Sequence, residues 1–364
     1  MVGLLCIFGP AATVLEAYLT IISRHVPKKV MNSCSSDLCR RVRGRLAPSP
    51  TGYLHLGNAW AFLLCWLAVR SAGGRLVLRM EDIDAVRSKP HFAIAIIQDL
   101  AWLGLDWDEG PDLGGPFAPY TQSQRLERYA EVMETLTRHG HTYPCYCTRK
   151  ELKSLASAPH AEDAGPVYPG TCLHLSAADR AQRESQGRRP SLRLRGSGET
   201  VFKDLVYDEV RLDWAACGGD FPLCRSDGVV SYQLAVAVDD MDQDITLVVR
   251  GADILPCTPR QIALFRLLGK RHPTYGHVPL LLDHQGERLA KRHAGFELRA
   301  LRDAGVQPTA VVGYLGFRAG LLPKPSPTAP VDLVPHFSWN LLPRQAVTLP
   351  QDIESALLSL DSPS

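Results

Sequence analysis

Net charge is what this sequence has least of: 40 Lys and Arg residues against 38 Asp and Glu leave a formal +2. So even a balance excludes a protein that holds nucleic acid by bulk charge alone, while a local basic patch stays compatible with it. Internal repeats and coiled-coil heptads are missing too, which excludes repeat and fibrous architectures. With 45% hydrophobic and 21% charged residues, neither a disordered nor a collagen-like chain fits. Nor is there a disulfide framework. Cys6, Cys34, Cys39, Cys65, Cys145, Cys147, Cys172, Cys217, Cys224 and Cys257 are spread unevenly over 364 residues. That distribution points to a reducing compartment, expected to be cytoplasmic, and to one metal site.

A recognisable leader is also lacking. Residues 2–23 are apolar apart from Glu16 and a few small polar residues, but nothing basic precedes Arg24, as a signal peptide would require. As a membrane span the stretch is barely long enough and is broken at Gly9-Pro10, so no membrane association is expected. Residues 1–40 are read as an N-terminal extension outside the fold, with Met31 a second candidate start. A targeting segment and an extra helix are the other readings.

What the chain does have is punctuation, in 27 prolines and 29 glycines. Arg43–Ala47 reads as a strand, Leu56–Ser71 as a helix stopped by Gly73-Gly74, Arg75–Met80 as a strand and Pro90–Leu103 as a helix. Strand–helix–strand–helix order implies a doubly wound parallel sheet of the Rossmann type. Ser123–Arg138 is an amphipathic helix, and residues 190–215 read as strands of a small subdomain. Asp227-Gly228 reads as a hairpin turn between strands Phe221–Arg225 and Val229–Val238. Ile245–Arg250 is a buried strand, Thr258–Leu268 a helix and Val278–Leu282 a strand before a polar loop, 283–293. Helices are expected at Phe296–Arg302 and Thr309–Phe317, with a Pro-rich tail beyond Leu321.

The chemistry-bearing segments lie at the strand ends. Arg45-Leu-Ala-Pro-Ser-Pro-Thr-Gly-Tyr-Leu-His-Leu-Gly-Asn58 joins a strand to a helix that starts at His-x-Gly. A helix N-terminus offers free N–H donors and a partial positive charge, which suit phosphate. Gly57 lets that backbone approach a ligand, and His55 can donate to a phosphate oxygen. Alone, His-x-Gly would be an ordinary capped helix. Leu78-Arg-Met-Glu-Asp-Ile-Asp84 ends the second strand, where a carboxylate can hold a substrate ammonium; alone, it would be a solvated acidic turn.

These runs resemble class I aminoacyl-tRNA synthetases of the glutamyl and glutaminyl type. The first matches their first signature, with Asn58 where the commonest form has His, and the second matches their R-[IM]-E-D-[IT]-D segment. Gly286-Glu-Arg-Leu-Ala-Lys-Arg292 aligns with the second signature, K-[ML]-S-K-[SRQ], placing Lys291 at the second lysine. Arg288 stands for the first lysine and Ala290 for the serine. The resemblance implies that Tyr232 and Arg250 line the amino-acid pocket, with Arg250 facing the substrate side-chain carboxylate, which its planar fork suits. Arg45, Ser49 and Glu81 would complete the glutamate site. His55, Gly57, Asn58 and Lys291 would bind ATP, with His55 and Lys291 stabilising charge on the phosphates and Mg²⁺ bridging them. Asp239-Asp240 are read as structural rather than as a metal pair.

Cys145-x-Cys147 and Cys172 suit a structural tetrahedral Zn²⁺ site in need of a fourth ligand. Tyr168 matches the Tyr-x₃-Cys pattern of the glutamyl-queuosine branch and is preferred. His174, two residues past Cys172, is the chemically commoner ligand; its Cys-x-His ending is similar to that of some glutamyl-tRNA synthetases, and it stays the alternative. The expected organisation is 41–140 as the first half of the catalytic domain, 141–176 as the zinc insert and 177–225 as a connecting subdomain. Residues 226–293 form the second half and 294–364 a helical segment with its tail. The stretch after Gly320 is too short for an anticodon-binding region, which makes the chain resemble the glutamyl-queuosine branch. Its implied substrates are ATP, L-glutamate and tRNA(Asp) carrying queuosine, and a monomer is expected. A synthetase charging the tRNA 3′ end, or an inactive binding paralogue, are the alternatives.

Overall fold

The computed structural model describes residues 42–148, 150–152, 167–289 and 296–360. The readings placed on residues 1–40, on Met31, and on Ala290, Lys291 and Arg292 lie outside these described residues.

The elements run β1 (Arg43–Leu46), α1 (Leu56–Ser71), β2 (Arg75–Leu78), α2 (Pro90–Trp102) and α3 (Leu126–Arg138). The insertions carry β3 (Thr142–Cys145), α4 (Ala177–Ser185), β4 (Ser191–Leu194), β5 (Glu199–Asp204), β6 (Asp208–Asp213) and β7 (Phe221–Cys224). Next come α5 (Tyr232–Asp242), β8 (Leu247–Gly251), α6 (Thr258–Leu267), β9 (Thr274–Val278) and β10 (Leu281–Leu282). The chain closes with α7 (Leu298–Asp303), α8 (Pro308–Arg318), α9 (Pro330–Leu333), β11 (Val347–Thr348) and α10 (Ile353–Leu360).

β1 pairs in parallel with β2, and β8 pairs in parallel with β9. The Thr246 N–H donates to the Arg43 carbonyl at 2.9 Å and sets β8 beside β1. On the far edge of β2, Leu78 N–H donates to the Glu109 carbonyl at 2.8 Å. Beyond β9, β5 joins through Asp204 opposite Tyr275, carrying the antiparallel β6. Read across from Glu109, the order is β2, β1, β8, β9, β5. Chain direction through the sheet reverses between β1 and β8, and in such sheets ligands bind outside the carboxyl ends of the strands at that switch point. The loop after β1 and Arg250 on β8 both lie there.

α1 has the expected bounds because its apolar residues, among them Trp60, Leu63, Leu64 and Leu67, are buried between sheet and tail. Gly74 ends the turn after it under constraint, since a Cβ there would lie 2.4 Å from the Val42 carbonyl oxygen. A separate antiparallel sheet, β3-β4-β7, builds the insert.

Two readings are corrected. The Asp227-Gly228 turn is present, with Arg225 N–H bonded to the Val229 carbonyl at 2.9 Å, but Val229–Val238 is not a strand. Ser231 caps a helix there by accepting from the Leu234 N–H, and α5 is buried from Leu234 through Asp240 without a break. A helix buried on every side shows no 3.6-residue alternation, so its Val and Ala residues mimic a strand. Val278–Leu282 is likewise two elements, β9 ending at Val278 and β10 of two residues. The Pro-rich tail is folded onto the core. β11 pairs with β10, and Leu333 and Leu357 are fully buried. Among the described residues no helix is long and apolar enough to cross a membrane.

Candidate active site

The turn between β1 and α1 is built by its own side chains. His55 Nδ1 accepts from the Gly57 N–H at 3.1 Å, and Asn58 Oδ1 accepts from the His55 N–H at 3.1 Å. Asn58, standing where the commonest signature has histidine, thus completes a reciprocal cap. With Nδ1 accepting, a neutral His55 carries its proton on Nε2, as a donor. A Cβ at Gly57 would stand 3.0 Å from the His55 ring, so a larger residue there would press on the cap.

The stems of the second-signature loop converge on this turn. Asp283 closes a tight turn by accepting from the Gln285 and Glu287 N–H groups at 2.9 and 2.8 Å. Arg288 pairs with Asp253, just past β8. On the far side of residues 290–295, Glu297 bridges to His55, and Leu298 N–H donates to the Leu54 carbonyl at 2.9 Å.

Arg45, Glu81, Tyr232 and Arg250 are brought together at the switch point. Arg45 Nη1 donates to the Val249 carbonyl at 3.3 Å, and Nε to Asp240 at 3.3 Å. The Glu81 N–H donates to the Pro48 carbonyl at 2.9 Å, which pins the end of β2 to the loop after β1. Burial raises the Glu81 carboxyl above the usual carboxylate range against the pull of Arg79 and Arg45. The Tyr232 hydroxyl is pushed up to about 12 by burial and the nearby Glu81 charge, with Arg250 and Arg45 opposing. Ser49 sits in the exposed part of the turn, where its carbonyl accepts from Thr51 N–H at 2.8 Å.

Beneath these residues lies a buried charge network. Arg79 reaches Glu81 at 3.0 Å and Asp240 at 2.8 Å, while Arg125 reaches Asp239 at 2.7 Å. Gln122 and Tyr129 also donate to Asp239, at 2.8 and 2.9 Å. Asp239 and Asp240 thus serve as structural counter-ions, as expected.

Arg250 is held differently, by residues the sequence reading missed. Its Nε donates to His277 Nε2 at 3.1 Å, Nη1 to Gln261 Oε1 at 2.8 Å and Nη2 to Thr258 Oγ1 at 2.8 Å. A histidine inside the apolar strand β9 was the available signal.

In the insert, the Cys145, Cys147 and Cys172 sulfurs lie within 4.8 Å of one another. Cys147 and Cys172 are 3.6 Å apart, and the Tyr168 oxygen stands 3.4 Å from Cys145 Sγ while accepting from the Cys172 N–H at 2.8 Å. A tetrahedral ion with sulfurs at about 2.3 Å places them about 3.8 Å apart, so this cluster could hold a metal ion. His174 is exposed and stands outside the cluster. The Arg193 guanidinium lies 3.8 Å from the Tyr168 ring centroid. Burial raises the Cys145 thiol, yet Tyr168 and Arg193 outweigh it and hold the thiol below its usual range.

A doubly wound sheet with a polar pocket and a capped helix start at its switch point defines a nucleotide-binding α/β catalytic domain. The chain belongs to the class I tRNA synthetases, E and Q type: residues 41–325 match that family's catalytic domain. It is 56% identical over 313 residues to Glutamyl-Q tRNA(Asp) synthetase of Nitratidesulfovibrio vulgaris, which covers 86% of this chain and 97% of that one. The protein of the same name from Symbiobacterium thermophilum is 51% identical over 316 residues, 86% of this chain and 98% of that one. Glutamate–tRNA ligase 2 of Acidithiobacillus ferrooxidans is 45% identical over 276 residues, 75% of this chain but 57% of that one. A glutamate tRNA ligase from Elizabethkingia meningosepticum, solved in complex with its amino acid, shares the fold with a TM-score of 0.72. The match is 23% identical and covers 86% of this chain and 68% of that one.

Proposed function

We propose that this protein activates L-glutamate with ATP and transfers it to queuosine in the anticodon of tRNA(Asp), in the cytoplasm where that tRNA resides. The observation that carries the reading is the 56% identity over 97% of a relative named Glutamyl-Q tRNA(Asp) synthetase. Glutamate–tRNA ligase 2 is matched less closely and over 57% of its length.

In the first step a glutamate α-carboxylate oxygen attacks the ATP α-phosphorus, and the bond to the departing pyrophosphate breaks. Arg250 takes the side-chain carboxylate, and Glu81 holds the ammonium. Arg45, Ser49 and Tyr232 complete the positioning of glutamate. The His55 Nε2–H, the α1 N-terminus at Gly57 and Asn58, and Lys291 stabilise the phosphate charge. Bound Mg²⁺ would add charge neutralisation between the phosphates. In the second step a queuosine hydroxyl attacks the glutamyl carbonyl and AMP leaves. We take the working unit to be the monomer, which sedimentation checks. We assign the Cys145, Cys147, Cys172 and Tyr168 cluster to zinc, which would tie β3 to the loop ending at Cys172.

Glutamate-dependent ATP–pyrophosphate exchange tests the reading. It is expected without any tRNA present. Exchange that requires tRNA would favour a synthetase charging the 3′ end, and no exchange at all would favour an inactive paralogue.

A further inference from the structure

Four buried arginines around the pocket each meet a carboxylate. Arg43 pairs with Glu109, Arg45 with Asp240, Arg79 with Glu81 and Asp240, and Arg125 with Asp239. Arg250 differs. It is 5% exposed, and among the described residues its hydrogen-bond acceptors are all neutral: an imidazole nitrogen, an amide oxygen and a hydroxyl. Three of the five guanidinium N–H groups are used in this way. One remains on each Nη, the spacing a carboxylate accepts bidentately.

This arrangement depends on His277 presenting a lone pair to Arg250. His277 is fully buried on β9, and its Nδ1 lies 2.7 Å from an oxygen of Asp204 at the end of β5. Asp204 is itself fixed, accepting on one oxygen from the Val206 and Tyr207 N–H groups at 2.9 and 3.1 Å. The ionised carboxylate can only accept, so the imidazole proton sits on Nδ1 and Nε2 is left as the acceptor. Burial keeps the ring neutral, lowering its proton affinity to about 4 despite Asp204, with Arg250 adding to the effect.

The geometry points to Asp204 and His277 as positioning residues that set glutamate specificity: the Asp204–His277 pair aims Arg250 without neutralising it, leaving its charge for the substrate side chain. This rests on the proposed function and deepens it, because neither residue touches substrate. It also ties the hairpin of β5 and β6 to the amino-acid pocket.

Three variants test it. His277→Asn keeps an amide where Nδ1 lies and removes the acceptor facing Arg250. His277→Gln puts an amide oxygen where Nε2 lies. Asp204→Asn leaves its oxygen with Val206 and Tyr207 and turns an NH₂ toward Nδ1; the imidazole proton then moves to Nε2 and faces the Arg250 donor. In the exchange assay, His277→Asn and Asp204→Asn should each raise the KM for glutamate by about tenfold or more. The KM for ATP and kcat should stay within about twofold, and the preference for glutamate over glutamine should fall by about tenfold. His277→Gln should stay within about threefold of the wild type on every parameter. If His277→Asn does not fold, the contrast between Asp204→Asn and His277→Gln decides. An equal rise in the KM for ATP and glutamate, or an unchanged glutamate KM and preference in Asp204→Asn, overturns the inference while the wild-type exchange still stands. Absence of glutamate-dependent exchange in the wild type overturns the proposed function and this inference with it.

Discussion

Arg79, just past β2, and Arg250, on β8, are both buried, at 0% and 5% exposure, yet their surroundings are opposite. Arg79 is enclosed by Glu81, Asp239 and Asp240 at 3.0, 3.7 and 2.8 Å. Arg250 rests on His277, Gln261 and Thr258, with the Tyr275 ring centroid 5.4 Å from its Cζ. In the first case the guanidinium and carboxylates compensate one another inside the protein, so Arg79 has no charge to spare for a ligand and holds the fold. In the second the protein meets the hydrogen-bond geometry and withholds the counter-charge. A buried cation without a counter-ion is costly unless something else supplies one, and the side-chain carboxylate of the proposed glutamate substrate would do so.

The largest expected effect breaks the compensated side. Arg79→Met leaves Asp240 and Glu81 buried without this partner and should cost about 3–5 kcal/mol in urea unfolding. A loss below about 1 kcal/mol would mean the network is not what holds these elements together. Next comes Arg250→Met, which strands no carboxylate. Stability should change by less than about 1 kcal/mol, whereas glutamate-dependent exchange should fall by about 100-fold or more. If Arg250→Met instead unfolded the protein and left the residual exchange rate normal, the two arginines would have to trade roles.

A third substitution asks whether the insert uses another kind of compensation, thiolates around a cation. Cys172→Ser should lower bound zinc well below one per chain by atomic absorption and cost about 2 kcal/mol of stability. Full zinc content in this variant would remove Cys172 from the ligand set. The smallest effect concerns a buried carboxylate with poor compensation. Asp99 on α2 is 1% exposed, reaches Arg302 only at 3.7 Å, and leaves one oxygen without a hydrogen bond among the described residues. Burial raises it from 3.8 to about 6, with Arg302 and Arg299 pulling the other way. The folded state therefore binds this proton more tightly than the unfolded chain. Its contribution is fully present below about pH 4 and is lost as pH rises through about 6. Asp99→Asn has no such proton to lose, so it should gain about 1–2 kcal/mol at pH 7.5 and nothing near pH 4. Equal melting shifts at both pH values would contradict this origin.

The contrast between the arginines also marks what the sequence could disclose. α1 is legible because its start and stop are local: a polar cap at His55 and the glycines after Ser71. The positions of Arg45, Glu81 and Arg250 at strand ends follow from the same local reading once the sheet is doubly wound. α5 reads as a strand because a helix buried on all sides has no amphipathic period, and only Ser231 signals a helix start. The shell around Arg250 is hidden for a different reason. Thr258 and Gln261 follow it by 8 and 11 residues on α6, and His277 by 27 on β9. No spacing rule joins a strand end, a helix start and the next strand; only the packing does. The prolines of the tail suppress long elements without preventing Leu333, Leu349 and Leu357 from packing inward.

The most direct test of the central claim is transfer of labelled glutamate to tRNA(Asp) prepared with and without queuosine. The account predicts label on the queuosine-containing tRNA alone, retained when the 3′-terminal adenosine is removed and lost when the anticodon nucleotide lacks its cyclopentenediol. Label that appears on queuosine-free tRNA, or that disappears when the 3′-terminal adenosine is removed, would contradict it.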